Sequence, residues 1–127
     1  MHKILSSVLF SVAMLGVANA APIDAGKCFL IPQFQNWKAL DDHTMYIRVN
    51  MNHYYRIDMA GRCSSLAWPD AHLITHWRGT SSVCSALDWD LKVEQSQPGG
   101  IAEPCIVKTM TPLTATEAAA IPKKFKP

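Results

Sequence analysis

Two runs of alternating apolar and polar residues constrain the fold of this chain more than any other feature. In residues 45–51 every second side chain is apolar, and the same period of two returns in residues 55–59. Successive side chains of a strand point to opposite faces, so each run predicts a strand with one buried face. Only residues 52–54 separate the two runs, and Asn52 among them tolerates the backbone of a tight turn. The pattern therefore predicts an antiparallel hairpin.

The register of this hairpin can be predicted by keeping the apolar side chains on one face. A two-residue turn would place Val49 opposite Arg56 and would mix the two faces. A three-residue connection places Val49 opposite Ile57 and Arg48 opposite Asp58, which also pairs opposite charges across the strands. We therefore expect the second register.

The rest of the chain shows further strand segments and one helix. Strand-like stretches occupy residues 28–31, 72–77, 87–93 and 105–110. Thr114 and Glu117 have the spacing of a helix capping box, and Pro122 would end that helix. Strands at hairpin spacing, without intervening helices, favour an antiparallel sheet. We predict a mainly β fold, a small antiparallel sandwich or open barrel of about six strands with one short C-terminal helix.

The N-terminus has the layout of a secretory signal peptide. A short positive start is followed by an apolar run over residues 4–17 and by Ala18-Asn19-Ala20, the small-x-small pattern of a cleavage site. The apolar run is shorter than the ~20 residues that a membrane-spanning helix needs. We predict a signal peptide over residues 1–20, no transmembrane span, and a periplasmic or secreted protein.

The remainder divides into a flexible leader (21–27), a single β-rich domain (28–122) and a basic tail (123–127). Without Lys3 the chain keeps almost equal numbers of basic and acidic residues, since the whole sequence has 12 Lys+Arg and 10 Asp+Glu. A near-balanced charge is not typical of nucleic-acid-binding proteins, so no nucleic-acid partner is expected.

Four cysteines, Cys28, Cys63, Cys84 and Cys105, lie in the predicted mature chain. An even number of cysteines in a small exported domain indicates disulfides. Three pairings are possible, and we favour Cys28–Cys105, which ties the first strand to the last, with Cys63–Cys84. The wide spacing lacks the close cysteine pairs of zinc sites, so no metal or other cofactor is predicted.

Short motifs in a defined order run through almost all of the predicted mature chain. They are Cys28-Phe29, Asp42-x-Thr44-x-Tyr46-x-Arg48, Tyr55-x-Ile57-Asp58-x-Ala60-Gly61-x-Cys63, Cys84-Ser85-x-Leu87-Asp88, Cys105-x-Val107, and Leu113-Thr114 with Glu117 and Pro122-Lys123-Lys124. In this order they resemble a family of small exported Gram-negative bacterial proteins catalogued as a domain of unknown function. The resemblance implies an exported, cysteine-containing, β-rich domain, and it implies no activity and no catalytic residue.

The polar face of the predicted hairpin is the first candidate for a binding surface. It carries Tyr46, Arg48, Arg56 and Asp58. An aromatic ring beside arginines on a sheet face can stack on sugars, peptides or side chains of a partner. The alternative is that the C-terminal helix or a loop lies over this face.

Two further pairs are weaker candidates. On a strand, His72 and His76 would share a face but lie ~13 Å apart, too far for one metal ion. Asp88 and Asp90 would flank Trp89 on one side of a strand, where they could bind a cation or act as acid and base. The alternative is that they form the polar face of an amphipathic strand.

These patterns favour a non-enzymatic interaction or ligand-binding module of the periplasm, with an unknown protein or a small envelope ligand as its partner. The alternative is a small envelope enzyme or enzyme inhibitor. An enzyme would need a concave pocket in which Asp58, Asp88 or a histidine meets a second ionisable group with a perturbed pKa. The sequence leaves the oligomeric state open.

Overall fold

The computed structural model describes residues 28–78, 81–96 and 100–127. The predicted signal peptide and leader lie outside these residues. The strands are β1 (Phe29–Leu30), β2 (Phe34–Ala39), β3 (Thr44–Val49), β4 (His53–Met59), β5 (Ala71–Trp77), β6 (Ser82–Val83), β7 (Trp89–Gln95), β8 (Glu103–Cys105) and β9 (Val107–Pro112). One α-helix, α1 (Ala115–Ala119), follows the last strand. The predicted mainly β fold with one short C-terminal helix is confirmed.

The strands form three antiparallel sheets that do not close into a barrel. The four-stranded sheet has the order β2-β3-β4-β9, the three-stranded sheet has the order β5-β7-β8, and β1 pairs with β6. The described residues contain nine strands, against about six predicted: six have six or seven residues, and β1, β6 and β8 have only two or three.

The core lies between the sheets and is built by the alternating apolar side chains. Met45, Ile47 and Ile57 of the four-stranded sheet are fully buried, and so is Val93 of the three-stranded sheet. An aromatic cluster extends this core at the β1 side, with ring contacts among Phe29, Phe34, Tyr55, Trp77 and Trp89. Burying large rings in a domain of this size removes much of the apolar surface that would otherwise face water.

The predicted register of the β3–β4 hairpin is wrong. Val49 lies opposite His53 rather than Ile57, and Arg48 lies opposite Tyr54 rather than Asp58. The connection has three residues as predicted, but these are Asn50–Asn52 rather than 52–54. The buried and polar faces are unchanged because the pairing differs from the prediction by an even number of residues.

The local cause of this register is Asn50. Its φ of 53° lies in the left-handed region, which asparagine enters at lower cost than most residues. Its amide donates a hydrogen bond to the Gln33 carbonyl at 2.8 Å, so the turn is also tied to the start of β2. Met51 therefore lies at the tip of the turn, 79% exposed.

Two strand boundaries also differ from the prediction. The strand expected from residue 87 begins at Trp89, because Ala86–Asp88 forms a 3₁₀ turn in which Leu87 is 83% exposed. The strand expected over 105–110 is divided at Ile106 into β8 and β9.

All four cysteines are disulfide-bonded, but the favoured pairing is wrong. The bonds are Cys28–Cys84 and Cys63–Cys105. The first follows from the β1–β6 pairing, which sets Phe29 opposite Val83 and so brings the neighbouring cysteines together. The second links the segment after β4 to the end of β8. Two disulfides fit an oxidising, extracytoplasmic compartment.

Candidate functional site

The outer face of the four-stranded sheet brings the predicted binding residues together. Tyr46 lies directly opposite Arg56, and Arg48 lies opposite Tyr54 on the same face. Lys38 of β2 lies on the other side of Tyr46. A tyrosine ring thus has a basic side chain on each neighbouring strand.

Asp58 anchors the arginine on this face. The Arg56 Nε donates to both Asp58 carboxylate oxygens, at 3.0 and 3.2 Å. The same carboxylate accepts from the Thr44 hydroxyl at 3.1 Å and the Thr109 hydroxyl at 3.2 Å. The hydrogen bond that Arg56 donates to Asp58 raises the pKa of Arg56, so the guanidinium is held in its charged form. This arrangement positions a permanent cation rather than a group that exchanges protons.

A groove of about 360 Å³ lies between this face and the C-terminal helix. Its floor is formed by Tyr46, Arg56 and Thr111 of the sheet. Its wall comes from the helical segment and is mostly apolar: Leu113, Glu117, Ala120, Ile121 and Pro122. The volume is within the ~300–1,000 Å³ usual for small-molecule sites. The helix thus covers part of the face, as the alternative interpretation required, and leaves a concave site beside it.

The capping box that predicted this helix also fixes its first turn. The Thr114 hydroxyl accepts from the Glu117 amide at 3.2 Å, and the Glu117 carboxylate accepts from the Thr114 amide at 2.8 Å. Glu117 therefore already has a backbone partner, although it lines the groove. Ala118 and Ile121 are buried and hold the segment on the domain.

The chain end packs against the same face. The Lys126 Nζ lies 5.3 Å from the centroid of the Tyr54 ring, and Pro127 is buried. Within the described residues, the Arg48 Nε is buried and has no hydrogen-bond partner. A buried donor of a charged group without a partner is uncommon in folded proteins.

The two aspartates of the weaker candidate pair do not share a strand. Asp88 lies in the 3₁₀ turn, where its carboxylate accepts from the amides of Cys84 and Ser85, both at 2.9 Å. These hydrogen bonds, first that from Cys84 and then that from Ser85, lower the pKa of Asp88. Asp90 lies in β7, opposite His76 of β5. The structure thus separates them and engages Asp88 with the backbone.

His72 and His76 lie on one face of β5, as predicted, and both are exposed. Their cross-strand neighbours on β7 are Glu94 and Asp90. The His72 ring also contacts the Ser96 hydroxyl. These contacts do not bring the two imidazoles together.

Two carboxylates outside the predicted sites have structural partners. Asp42 contacts the His43 Nδ1 at 2.5 Å and the Arg62 Nε at 2.6 Å. Glu103 accepts from the amides of Ser64 at 3.1 Å and Ser65 at 2.8 Å, beside the Cys63–Cys105 bond. Sequence reasoning missed both because their partners come from turns or from distant segments.

Comparison with known proteins identifies a family and no activity. No helix in residues 28–78, 81–96 and 100–127 has the length and hydrophobicity to traverse a bilayer. No curated protein and no solved structure matches the chain. A model of the family of unknown function DUF6491 matches residues 1–125, and the chain therefore belongs to that family.

Proposed function

We propose that this protein is a non-enzymatic binding module of the periplasm or the secreted fraction, and that the groove beside α1 holds its ligand. The ligand is a small envelope molecule with an anionic head, a carboxylate or a phosphate, and a short apolar part. The observation that carries this proposal is the juxtaposition of an apolar groove wall with the positive charge of Arg56 on the groove floor.

The charge on this surface favours an anion. Lys38, Arg48 and Arg56 lie on the outer face, and Lys126 lies over its edge. The acidic side chains near these cations already have partners: Asp58 is paired with Arg56, Glu117 accepts from a backbone amide, and Asp41 accepts from the amides of His43 and Thr44. A carboxylate or phosphate could form charge-assisted hydrogen bonds with the arginines.

The apolar part of the ligand would lie against Tyr46 and the helical wall. Leu113, Ile121 and Pro122 present carbon atoms to the groove, opposite the tyrosine ring. Aromatic and aliphatic walls with a few placed polar groups are the usual composition of small-molecule sites. Three residues support binding rather than catalysis. Asp58 and Arg56 are paired with each other, and Asp88 accepts hydrogen bonds from two backbone amides, so these groups hold the structure or carry a fixed charge.

Titration calorimetry of the purified, disulfide-bonded protein tests the proposal. The probes are decanoate, decyl phosphate and decyltrimethylammonium, which share a chain and differ in the head. We expect the two anions to bind at least about tenfold more tightly than the cation, and their relative affinities distinguish a carboxylate from a phosphate ligand.

Variants locate the site. Arg56→Gln and Tyr46→Ala, both in the groove floor, should each weaken anion binding by about tenfold, because one removes a cationic donor and the other an aromatic surface. Lys92→Gln, which removes a cation from the three-stranded sheet, is the matched control and should bind normally. Equal binding of the cationic probe, or no binding of either anion, would contradict the proposal.

A further inference from the structure

Strand β5 forms a long edge of the three-stranded sheet. Within the described residues it pairs with β7 alone, and the register runs without interruption from Ala71 opposite Gln95 to Trp77 opposite Trp89. It contains no proline, no lysine and no bulge, which are the features that usually block pairing at an edge. The edge strand β2 of the other sheet has both a bulge and Lys38.

The backbone of β5 leaves alternate residues free to pair. The Asp70 carbonyl accepts from the Ser96 amide at 3.3 Å, and the Arg78 amide donates to the Asp88 carbonyl at 3.0 Å. Because an antiparallel ladder uses every second residue on each side, even-numbered residues of β5 face β7. The amides and carbonyls of Leu73, Thr75 and Trp77 therefore point to the open side.

Apolar side chains at this edge are incompletely covered. Leu73 and Trp77 are only half-buried, whereas their β7 partners Val93 and Trp89 are buried. A further strand beside β5 would cover the exposed parts of these side chains. The edge thus offers both unpaired backbone groups and apolar surface.

The charges that flank β5 are complementary to a second copy of the same strand. Asp70 precedes the segment Ala71–Trp77, and Arg78 follows it. The segment itself contains two histidines and no Asp, Glu, Lys or Arg. Neither charged side chain makes an ion pair with the described part of the chain. An antiparallel pairing centred on Ile74 would set Asp70 of each copy opposite Arg78 of the other.

The same register also allows backbone hydrogen bonds between the two copies. It sets Leu73 of one copy opposite Thr75 of the other, so outward-pointing amides and carbonyls meet outward-pointing ones. A shift by two residues keeps this match but separates Asp70 from Arg78. We propose that β5 pairs with β5 of a second copy about a twofold axis at Ile74, which joins two three-stranded sheets into one of six strands. This surface does not include the groove beside α1.

Charge reversal tests the proposed contact by sedimentation of the purified, disulfide-bonded protein over a range of concentrations. The wild type should show a monomer–dimer equilibrium. Asp70→Arg and Arg78→Asp alone should each weaken the dimer by about tenfold, because like charges then meet at both ends. The double variant should return to within about threefold of the wild type, since it exchanges the two charges.

Lys108→Glu is the control for charge reversal, because Lys108 is exposed on β9 of the other sheet. It should leave the equilibrium unchanged. A wild type that stays monomeric up to ~0.5 mM, or a double variant as weak as the single ones, overturns the proposal.

Ile74→Glu provides a second test that spares the fold. In the monomer the new carboxylate would lie opposite Lys92 of β7, a favourable pair, whereas two glutamates would meet at the twofold axis. We expect dimerisation at least about tenfold weaker with an unchanged thermal unfolding temperature. Ile106→Glu, at an exposed isoleucine outside β5, is its control, and a dimer that survives Ile74→Glu overturns the proposed axis.

Discussion

At the scale of single residues, Asp88 shows how a carboxylate considered for chemistry is used for structure. Its side chain accepts two backbone amides from the segment that contains Cys84, and it completes a capping box with Ser85. The donated hydrogen bonds stabilise the charged form, so the pKa of Asp88 lies below its ordinary value of 3.8. A group with these partners fixes a turn beside a disulfide.

Replacing Asp88 by alanine should lower the free energy of unfolding by about 1 kcal/mol at pH 7, as for loss of a capping side chain. Since the pKa is lowered in the folded state, the stabilisation is complete above the unfolded value of 3.8 and is lost as pH falls through the folded value. Urea unfolding at neutral pH and near pH 2.5 should therefore show a difference from the wild type that shrinks on acidification. Asp90→Ala is the control, and a difference that stays constant with pH would contradict this role.

At the scale of elements, the β3–β4 hairpin shows what alternation can and cannot determine. The faces of residues 45–49 and 55–59 were predicted correctly because the period of two is independent of the partner. Met51, predicted on the buried face, lies in the turn and is exposed. The register was predicted wrongly, because a pairing shifted by an even number of residues still places apolar side chains opposite apolar ones. The choice depends on Asn50 and on its hydrogen bond to Gln33, which lies just before β2.

Asn50→Val should destabilise the protein by about 1–2 kcal/mol, because a β-branched side chain is strained at positive φ. Asn50→Gly should leave stability nearly unchanged, since glycine enters this region without that strain. Chemical unfolding of both variants measures the difference. Asn52→Val, at the other end of the same turn, should have little effect; equal losses at the two positions would argue against strain at Asn50.

At the scale of the whole molecule, the two disulfides connect different pairs of segments. Cys63–Cys105 joins the segment after β4 to β8, and so links the two larger sheets, with both residues buried. Cys28–Cys84 joins the residue before β1 to the residue after β6, and Cys84 is exposed. Each bond closes a loop long enough to stabilise the fold by ~4 kcal/mol in the chain-entropy model.

A soluble phosphine added to the folded protein should open Cys28–Cys84 before Cys63–Cys105, because attack on a disulfide requires access to its sulfur atoms. Alkylation followed by peptide mass spectrometry at successive times gives the order. The same experiment in urea, where access is equal, is the control. Simultaneous loss of both bonds under native conditions would show that opening requires global unfolding.

The candidate site was predictable only in part, because it depends on local patterns and also on how distant segments pack together. Tyr46, Arg48, Arg56 and Asp58 share a face because of strand periodicity, and the helix beside them follows from its capping box. The groove between them depends on how Ile121 and the chain end pack on the sheet, which no local pattern encodes. The disulfide pairing likewise depends on β1 meeting β6, two strands of two residues each.

The order of the cysteines along the chain has a consequence for biogenesis. The two bonds interleave, so neither joins cysteines that are consecutive in the sequence. During synthesis from the N-terminus, Cys63 emerges after Cys28 and before either native partner, and an oxidant that acts at that moment would join Cys28 to Cys63. Native maturation therefore requires either that oxidation wait until β1 and β6 have paired, or that a thiol catalyst reshuffle the early bond.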